Sequence, residues 1–238
     1  VRLSRLDLLD WLWGRMLLFG HRVVPSLRGL LPLLREAVNA GRYHHHVSLN
    51  AMKVARCAED PAFSALVAAA HTRAADGASL LLAARLRGHR VPERIAGCDL
   101  AEALLGLAAL HRWPTALIGA SPAVLAKVVD QVRARGVDVV CAVDGFGPRP
   151  DDLFGARLVL VALGTPTAER WIHETQPAAL CLGVGGAFDV WAGEVPRAPI
   201  ALQRVGLEGV ARVAREPRKR LLPFAKAALR FARELPRA

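Results

Sequence analysis

Residues 157–166 read Arg-Leu-Val-Leu-Val-Ala-Leu-Gly-Thr-Pro, an apolar, β-branched run that breaks abruptly at Gly164, Thr165 and Pro166. A run this short with this ending reads as a buried strand followed by a turn into a helix, the hydroxyl standing at the N-cap and proline at the first helical position. The same grammar recurs at residues 115–122, where Thr-Ala-Leu-Ile-Gly-Ala leads into Ser121-Pro122. Further strands are expected at residues 137–143, 178–184 and 47–49, with helical patterns at 62–73 and 79–87. Strands alternating with helices predict an α/β fold, a parallel, Rossmann-like sheet flanked by helices. Both helix N-termini then fall at the carboxyl edge of that sheet, where backbone N–H groups and the helix dipole favour an anion and where ligands of such sheets bind. The early strand and its two helices suggest a smaller first lobe.

Working outward, the ends of the chain differ in character from its middle. Residues 6–19 carry Leu8, Leu9, Leu12, Met16 and Phe19 at three-to-four spacing, with Trp11 and Trp13 beside them and Asp7, Asp10 and Arg15 inside the run. That is an amphipathic helix, either docked on the core or lying in a membrane interface with its tryptophans at headgroup depth. The charges and the missing small-residue cleavage site argue against a signal peptide. Residues 194–238 hold eleven Lys/Arg against four Asp/Glu, a net +7 of the chain's +11. A basic segment interleaved with Leu221, Leu222, Phe224, Leu229 and Phe231 suits an anionic membrane, an anionic substrate or nucleic acid. With Tyr43 the single tyrosine, no aromatic-rich RNA motif accompanies the charge. Three regions are therefore expected: 1–40, an N-terminal helical segment; 41–193, the α/β core; and 194–238, a basic helical appendage.

Composition narrows the class further. With 238 residues, 53% hydrophobic, the chain can bury a sizeable core. Cys57, Cys98, Cys141 and Cys181 lie roughly 40 residues apart without paired spacing, which fits neither a disulfide framework nor a zinc ribbon. A reducing cytoplasm is the expected setting. No charge-free stretch reaches the about 18 to 20 residues of a membrane span.

Several residues could carry chemistry. His44, His45 and His46 precede a strand, so only His44 and His46 share a face on which a metal could sit. The run Gly183-Val184-Gly185-Gly186-Ala187-Phe188 places a phenylalanine where a dinucleotide fingerprint needs a small residue. Asp76-Gly77 and Asp144-Gly145 are common turn chemistry. Asp76 also precedes an apolar helix at a lobe boundary, where partial burial can hold a general base.

Taken in order, Ser48-Leu49-Asn50-Ala51, Asp60-Pro61-Ala62-Phe63, Asp76-Gly77, the run from Glu93 to Leu100, Ile118-Gly119, Asp144-Gly145-Phe146, the run from Ala162 to Ile172, Gly183 to Asp189, and Glu216-Pro217 resemble the WecG/TagA/CpsF family of bacterial glycosyltransferases, glycosyltransferase family 26. The resemblance implies a two-lobed, GT-E-type fold. It implies an inverting, metal-independent transfer of a sugar, of N-acetylmannosamine or glucose type, from a UDP-sugar to a polyprenyl-diphosphate-linked saccharide. The enzyme would sit peripherally on the inner, cytoplasmic face of the bacterial plasma membrane, against an anionic surface, with no cofactor. By the same resemblance Asp76 is the catalytic base, with Ser48 and Asn50 lining its pocket. Arg94, Arg212, Arg218, Lys219 and Arg220 handle the diphosphate, and Gly164, Thr165, Ala168, Glu169, Gly185, Gly186 and Asp189 complete the substrate site. The resemblance implies no nucleic-acid partner and leaves self-association open. Where the family usually reads Lys-Gln-Glu this chain has Thr167-Ala168-Glu169. That keeps a second function in view, a catalytically impaired homologue acting as a scaffold in the same pathway. A third is a basic nucleic-acid-binding protein, which would show steep salt dependence.

Overall fold

The computed structural model describes residues 16–86, 92–196 and 225. It opens with a hairpin of β1 (Leu17–Leu18) and β2 (His21–Arg22), antiparallel across a turn in which Phe19 and Gly20 both adopt positive φ, 51° and 78°. Two positive φ values in a two-residue loop give the twist that matches paired strands. The helix expected over residues 6–19 therefore does not include 17–19, and residues 6–15 of that expectation lie outside the described residues. The helix α1 (Leu27–Ala40) comes next, capped by the Ser26 hydroxyl, which accepts from the Gly29 N–H, and closed by Gly41 in the left-handed region. It buries Leu30, Leu34 and Val38 on its inner face.

The body of the chain then alternates. After β3 (His44–Leu49) come α2 (Ala51–Glu59) and α3 (Pro61–Ala69), capped by the side chains of Asn50 and Asp60. Next are β4 (Thr72–Ala75), α4 (Ala78–Leu86) and α5 (Gly97–His111). A second set comprises β5 (Thr115–Gly119), α6 (Pro122–Ala134) and β6 (Val139–Val143). Closing the sheet are β7 (Leu158–Ala162), α7 (Thr167–Thr175), β8 (Leu180–Gly183) and the short α8 (Ala187–Trp191).

Two expectations need correction. The helix predicted over residues 62–73 stops at Ala69, and Thr72–Ala75 is a strand, because Ala70 turns to extended backbone and Arg73 spends its guanidinium on the carbonyls of Val67, Ala68 and Ala70 at the helix end. Ser121 caps α6 as expected, accepting from the Val124 N–H. Thr165 does not cap α7: Pro166 occupies the N-cap after a cis peptide bond, and the Thr165 hydroxyl turns to Glu169 instead.

The six strands β3 to β8 form one all-parallel sheet in the order β4-β3-β8-β7-β5-β6. Parallel sheets need both faces covered, and alternate residues along the strands feed two cores. Leu117, Leu158, Leu160, Leu180 and Leu182 pack with residues of α1, α5, α6 and α8, while Ala116, Ile118, Val159, Val161 and Cys181 pack with α7. Leu158 and Leu160 are fully buried; each such side chain contributes about 1.5–3 kcal/mol of transfer free energy. The early strand has its own cluster, in which Val47 and Leu49 meet Phe63, Val67, Leu80 and Ala84. The early strands thus carry an apolar cluster of their own and extend the common sheet through the β3–β8 pairing.

At the carboxyl edge the chain leaves neighbouring strands in opposite directions. The helices after β3 and β7 lie on one face, joined by the contact of α3 with α7 and by a Lys53–Glu169 ion pair. The helix after β8, which stands between those two strands, packs against α6 in the opposite core. Such reversals open a crevice at the strand ends, the place where ligands bind in sheets of this kind. Gly119, with φ of 113°, lets the ends of β5 and β7 close up: a Cβ there would stand 2.5 Å from the Ala162 carbonyl.

Candidate active site

The site is built from residues at and just beyond the carboxyl ends of the strands. Ser48 is the penultimate residue of β3 and is buried, and Asn50 succeeds the strand, half-buried. Asn50 is committed locally: its carbonyl oxygen accepts from the Lys53 N–H at 3.0 Å, satisfying a donor that the first turn of α2 leaves free. Asp76 comes directly after β4. Its backbone N–H donates to the Leu49 carbonyl at 2.6 Å, which sets it beside the end of β3.

Helix α5 completes this side. Its N-cap is Ala96, which has no side chain able to accept, so the first turn lacks a cap of its own. The Asp76 carboxylate supplies the acceptor from 21 residues away, taking the Gly97 N–H on Oδ2 at 3.2 Å. The positive end of the α5 dipole thus faces an anionic side chain. Gly97 must be small for this approach. A Cβ at 97 would lie 2.9 Å from Ser48 Oγ, 3.2 Å from Ser48 Cβ and 3.6 Å from Asp76 Oδ2. Ser48, Asp76 and the α5 N-terminus therefore converge on one point, with Asn50 Cβ 3.9 Å from where a Gly77 Cβ would stand. Arg94 is half-buried in the segment leading into α5, next to Ile95, whose N–H is held by the Ala75 carbonyl at 2.9 Å.

A second group lies across β8. Gly164 and Thr165 are exposed at the end of β7, while Ala168 and Glu169 point inward, 2% and 1% exposed. A Cβ at Gly183, the last residue of β8, would lie 3.5 Å from Ala168 Cβ and 3.7 Å from Glu169 Oε1. Glu169 Oε1 also accepts from the Thr165 hydroxyl at 3.1 Å and pairs with Lys53 Nζ at 2.8 Å. Burial pushes the Glu169 carboxyl up, but the Lys53 ammonium, its hydrogen bond and the Thr165 hydroxyl outweigh that and hold it below the usual range. Gly185 is exposed, Gly186 precedes α8, and Asp189 is half-buried in the first turn of α8. Arg212, Arg218, Lys219 and Arg220, expected at the diphosphate, lie outside the described residues.

The structure thus brings Ser48, Asn50 and Asp76 together and collects Thr165, Ala168 and Glu169 with Gly183 on the far side of β8. Two residues absent from the sequence-based site support these groups. Gly97 holds Asp76, and Lys53 links the Asn50-capped helix to Glu169. Lys53 had a readable signal: a cation in the first turn of a helix opposes the dipole and calls for an acidic partner.

Other candidates resolve as structure. Asp144 Oδ1 accepts from the N–H groups of Phe146 at 2.7 Å and Gly147 at 3.0 Å, which hold its carboxyl below the usual range and make it a turn residue. His44 Nε2 and His46 Nδ1 both meet the Thr72 hydroxyl, at 3.0 and 2.9 Å, toward the amino end of β3 and away from the crevice. Burial, reinforced by neighbouring positive charge or imidazoles, pushes His44 down to about 4 and His46 well below the ordinary histidine range. Among the described residues no group of three His, Cys, Asp or Glu could hold a metal ion. Residues 16–237 match the family model described as the glycosyl transferase WecG/TagA/CpsF family.

Proposed function

The chain belongs to the glycosyl transferase WecG/TagA/CpsF family, and from that membership we propose that Asp76 is the general base of an inverting sugar transfer from a UDP-sugar to a polyprenyl-diphosphate-linked saccharide. The observation that carries this reading is the Asp76 carboxylate, fixed on Oδ2 by the Gly97 N–H beside buried Ser48, at the carboxyl edge of the parallel sheet. The Gly97 N–H orients the carboxylate, which is the proton acceptor in this reading.

In the proposed step the acceptor hydroxyl attacks the anomeric carbon from the face opposite UDP and gives its proton to Asp76. The bond from that carbon to the diphosphate oxygen breaks, and its electron pair leaves with UDP, which gains negative charge. The sugar passes through an oxocarbenium-like state and its configuration inverts. Guanidinium groups compensate the leaving charge in this reading. Arg94 lies on the Asp76 side of the crevice, and Arg212, Arg218, Lys219 and Arg220 are the basic residues of the C-terminal segment. No step in this reading uses a metal.

The reading also puts the enzyme on the cytoplasmic face of the membrane. Its support is the net +7 of residues 194–238, enough to attract anionic lipid at about 1 kcal/mol per nearby Lys or Arg. Among the described residues no helix is long and apolar enough to cross a membrane.

The test is UDP release with detergent-solubilised prenyl-diphosphate acceptors, screened against N-acetylmannosamine-type and glucose-type UDP-sugars. Release that requires both substrates supports the reading; no release with any pair contradicts it. Ala168 favours one competing reading, a scaffold with impaired catalysis. Its methyl group is buried against Gly183 and offers no amide to a donor.

A further inference from the structure

The buried ion pair between Lys53 and Glu169 is an expensive contact. The two side chains are 9% and 2% exposed, with Nζ and Oε1 2.8 Å apart, so both charges have given up water. Among the described residues Glu169 Oε2 has no hydrogen-bond partner and is buried, which leaves part of that cost uncompensated. Lys53 also stands in the first turn of α2, where the dipole disfavours a cation. A buried pair of this kind is often replaceable by apolar side chains with no loss of stability. Stability therefore explains it poorly, and position explains it better.

The pair joins the two walls of the crevice. Strands β3 and β7 are separated by β8, and the helices beyond them lie on one face, where α3 also packs against α7. Lys53 belongs to the wall beyond β3: its N–H is bound by Asn50, whose Cβ neighbours Gly77 and so the Asp76 turn. Glu169 belongs to the wall beyond β7, and the same Oε1 that takes the ammonium also takes the Thr165 hydroxyl. One carboxylate oxygen thus fastens helix α2 and the 164–169 turn to each other.

We propose that Lys53 and Glu169 are positioning residues, a strut that fixes the spacing between the Asp76 wall and the Thr165 wall. The kinetic part of this inference rests on the sugar-transfer reading of the site; the mechanical part does not. A base misplaced by about 1 Å can cost on the order of 10²-fold in rate while ground-state binding is kept.

The experiment compares the wild-type chain with the double variant Lys53→Met, Glu169→Leu, which keeps volume and removes both charges. Amide hydrogen exchange at residues 50–54 and 164–169, the melting temperature, and kcat and KM for donor are measured on each. The strut predicts a melting temperature kept, exchange in both segments faster by about tenfold or more, and kcat lower by at least about tenfold with KM changed less than about threefold. A folded double variant with unchanged exchange overturns the strut, and unchanged kcat overturns its kinetic role. If the double variant does not fold, Lys53→Arg, expected to keep both properties, and Glu169→Asp, expected to lose both, decide the matter. A wild-type chain that transfers no sugar defeats the reading of the site, while the exchange comparison still decides the strut.

Discussion

The backbone N–H of Gly97 donates to the Asp76 carboxylate at 3.2 Å, so the first turn of α5 is capped by a residue from the end of a different strand. One contact closes the helix, orients the carboxylate and pins it beside Ser48. Perturbing the geometry at Gly97 therefore perturbs the Asp76 carboxylate.

Replacing Gly97 by Ala should show this coupling. The new Cβ would stand 2.9 Å from Ser48 Oγ and 3.2 Å from Ser48 Cβ, and Ser48 is buried in β3, with little room to yield. Overpacking of this sort costs about 1–3 kcal/mol. Transfer should fall by about tenfold or more in protein that still folds, read from UDP release alongside the thermal midpoint; a variant with wild-type turnover would uncouple the helix from the carboxylate.

Acid should destabilise the fold through the histidines of β3. Burial pushes His44 down to about 4, helped by His71, and His45 down to about 3, with Glu169 opposing and Lys53, His71 and His173 assisting. Unfolded histidines titrate near 6.5, so between that pH and the folded values the unfolded chain binds more protons. Their contribution is complete above about pH 6.5 and is lost as pH falls. Urea midpoints should drop between about pH 6.5 and 4.5 by the equivalent of about 4 kcal/mol, and His45→Leu should flatten the slope; a wild-type profile flat over that range would show these imidazoles already solvated.

Chelation separates the proposed chemistry from metal-assisted transfer. If UDP departs against guanidinium groups alone, turnover should be the same with and without EDTA. Loss of turnover on chelation, restored by magnesium or manganese, would direct attention to Asp144 and Asp189 instead.

Much of this architecture is legible in the sequence because it is local. The runs at 115–118 and 157–163 are strands within a residue or two, since their apolar residues feed cores on both faces. Ser121 caps α6 because its hydroxyl reaches the third N–H along, a rule that involves no other part of the chain. Strand β4 is hidden: Thr-Arg-Ala-Ala has weak strand character, and what makes it a strand is pairing with β3. Thr165 misleads for a similar reason, because a buried carboxylate competes for its hydroxyl. In the site, Asp76, Ser48 and Asn50 are legible through the family resemblance. Gly97 is not, because its role arises from a contact with Asp76, 21 residues away; the Lys53 charge at a helix start calls for an acid, but its partner Glu169, on another helix, is set by the fold.

The most direct test of Asp76 as the base is the Asp76→Asn variant, which keeps size and the Oδ position that receives the Gly97 N–H while removing the basic carboxylate. Single-turnover sugar transfer and UDP-sugar binding are measured together. A base at Asp76 predicts a rate lower by about 10² to 10⁴-fold with donor affinity kept within a few-fold. A rate near that of the wild-type chain would contradict it.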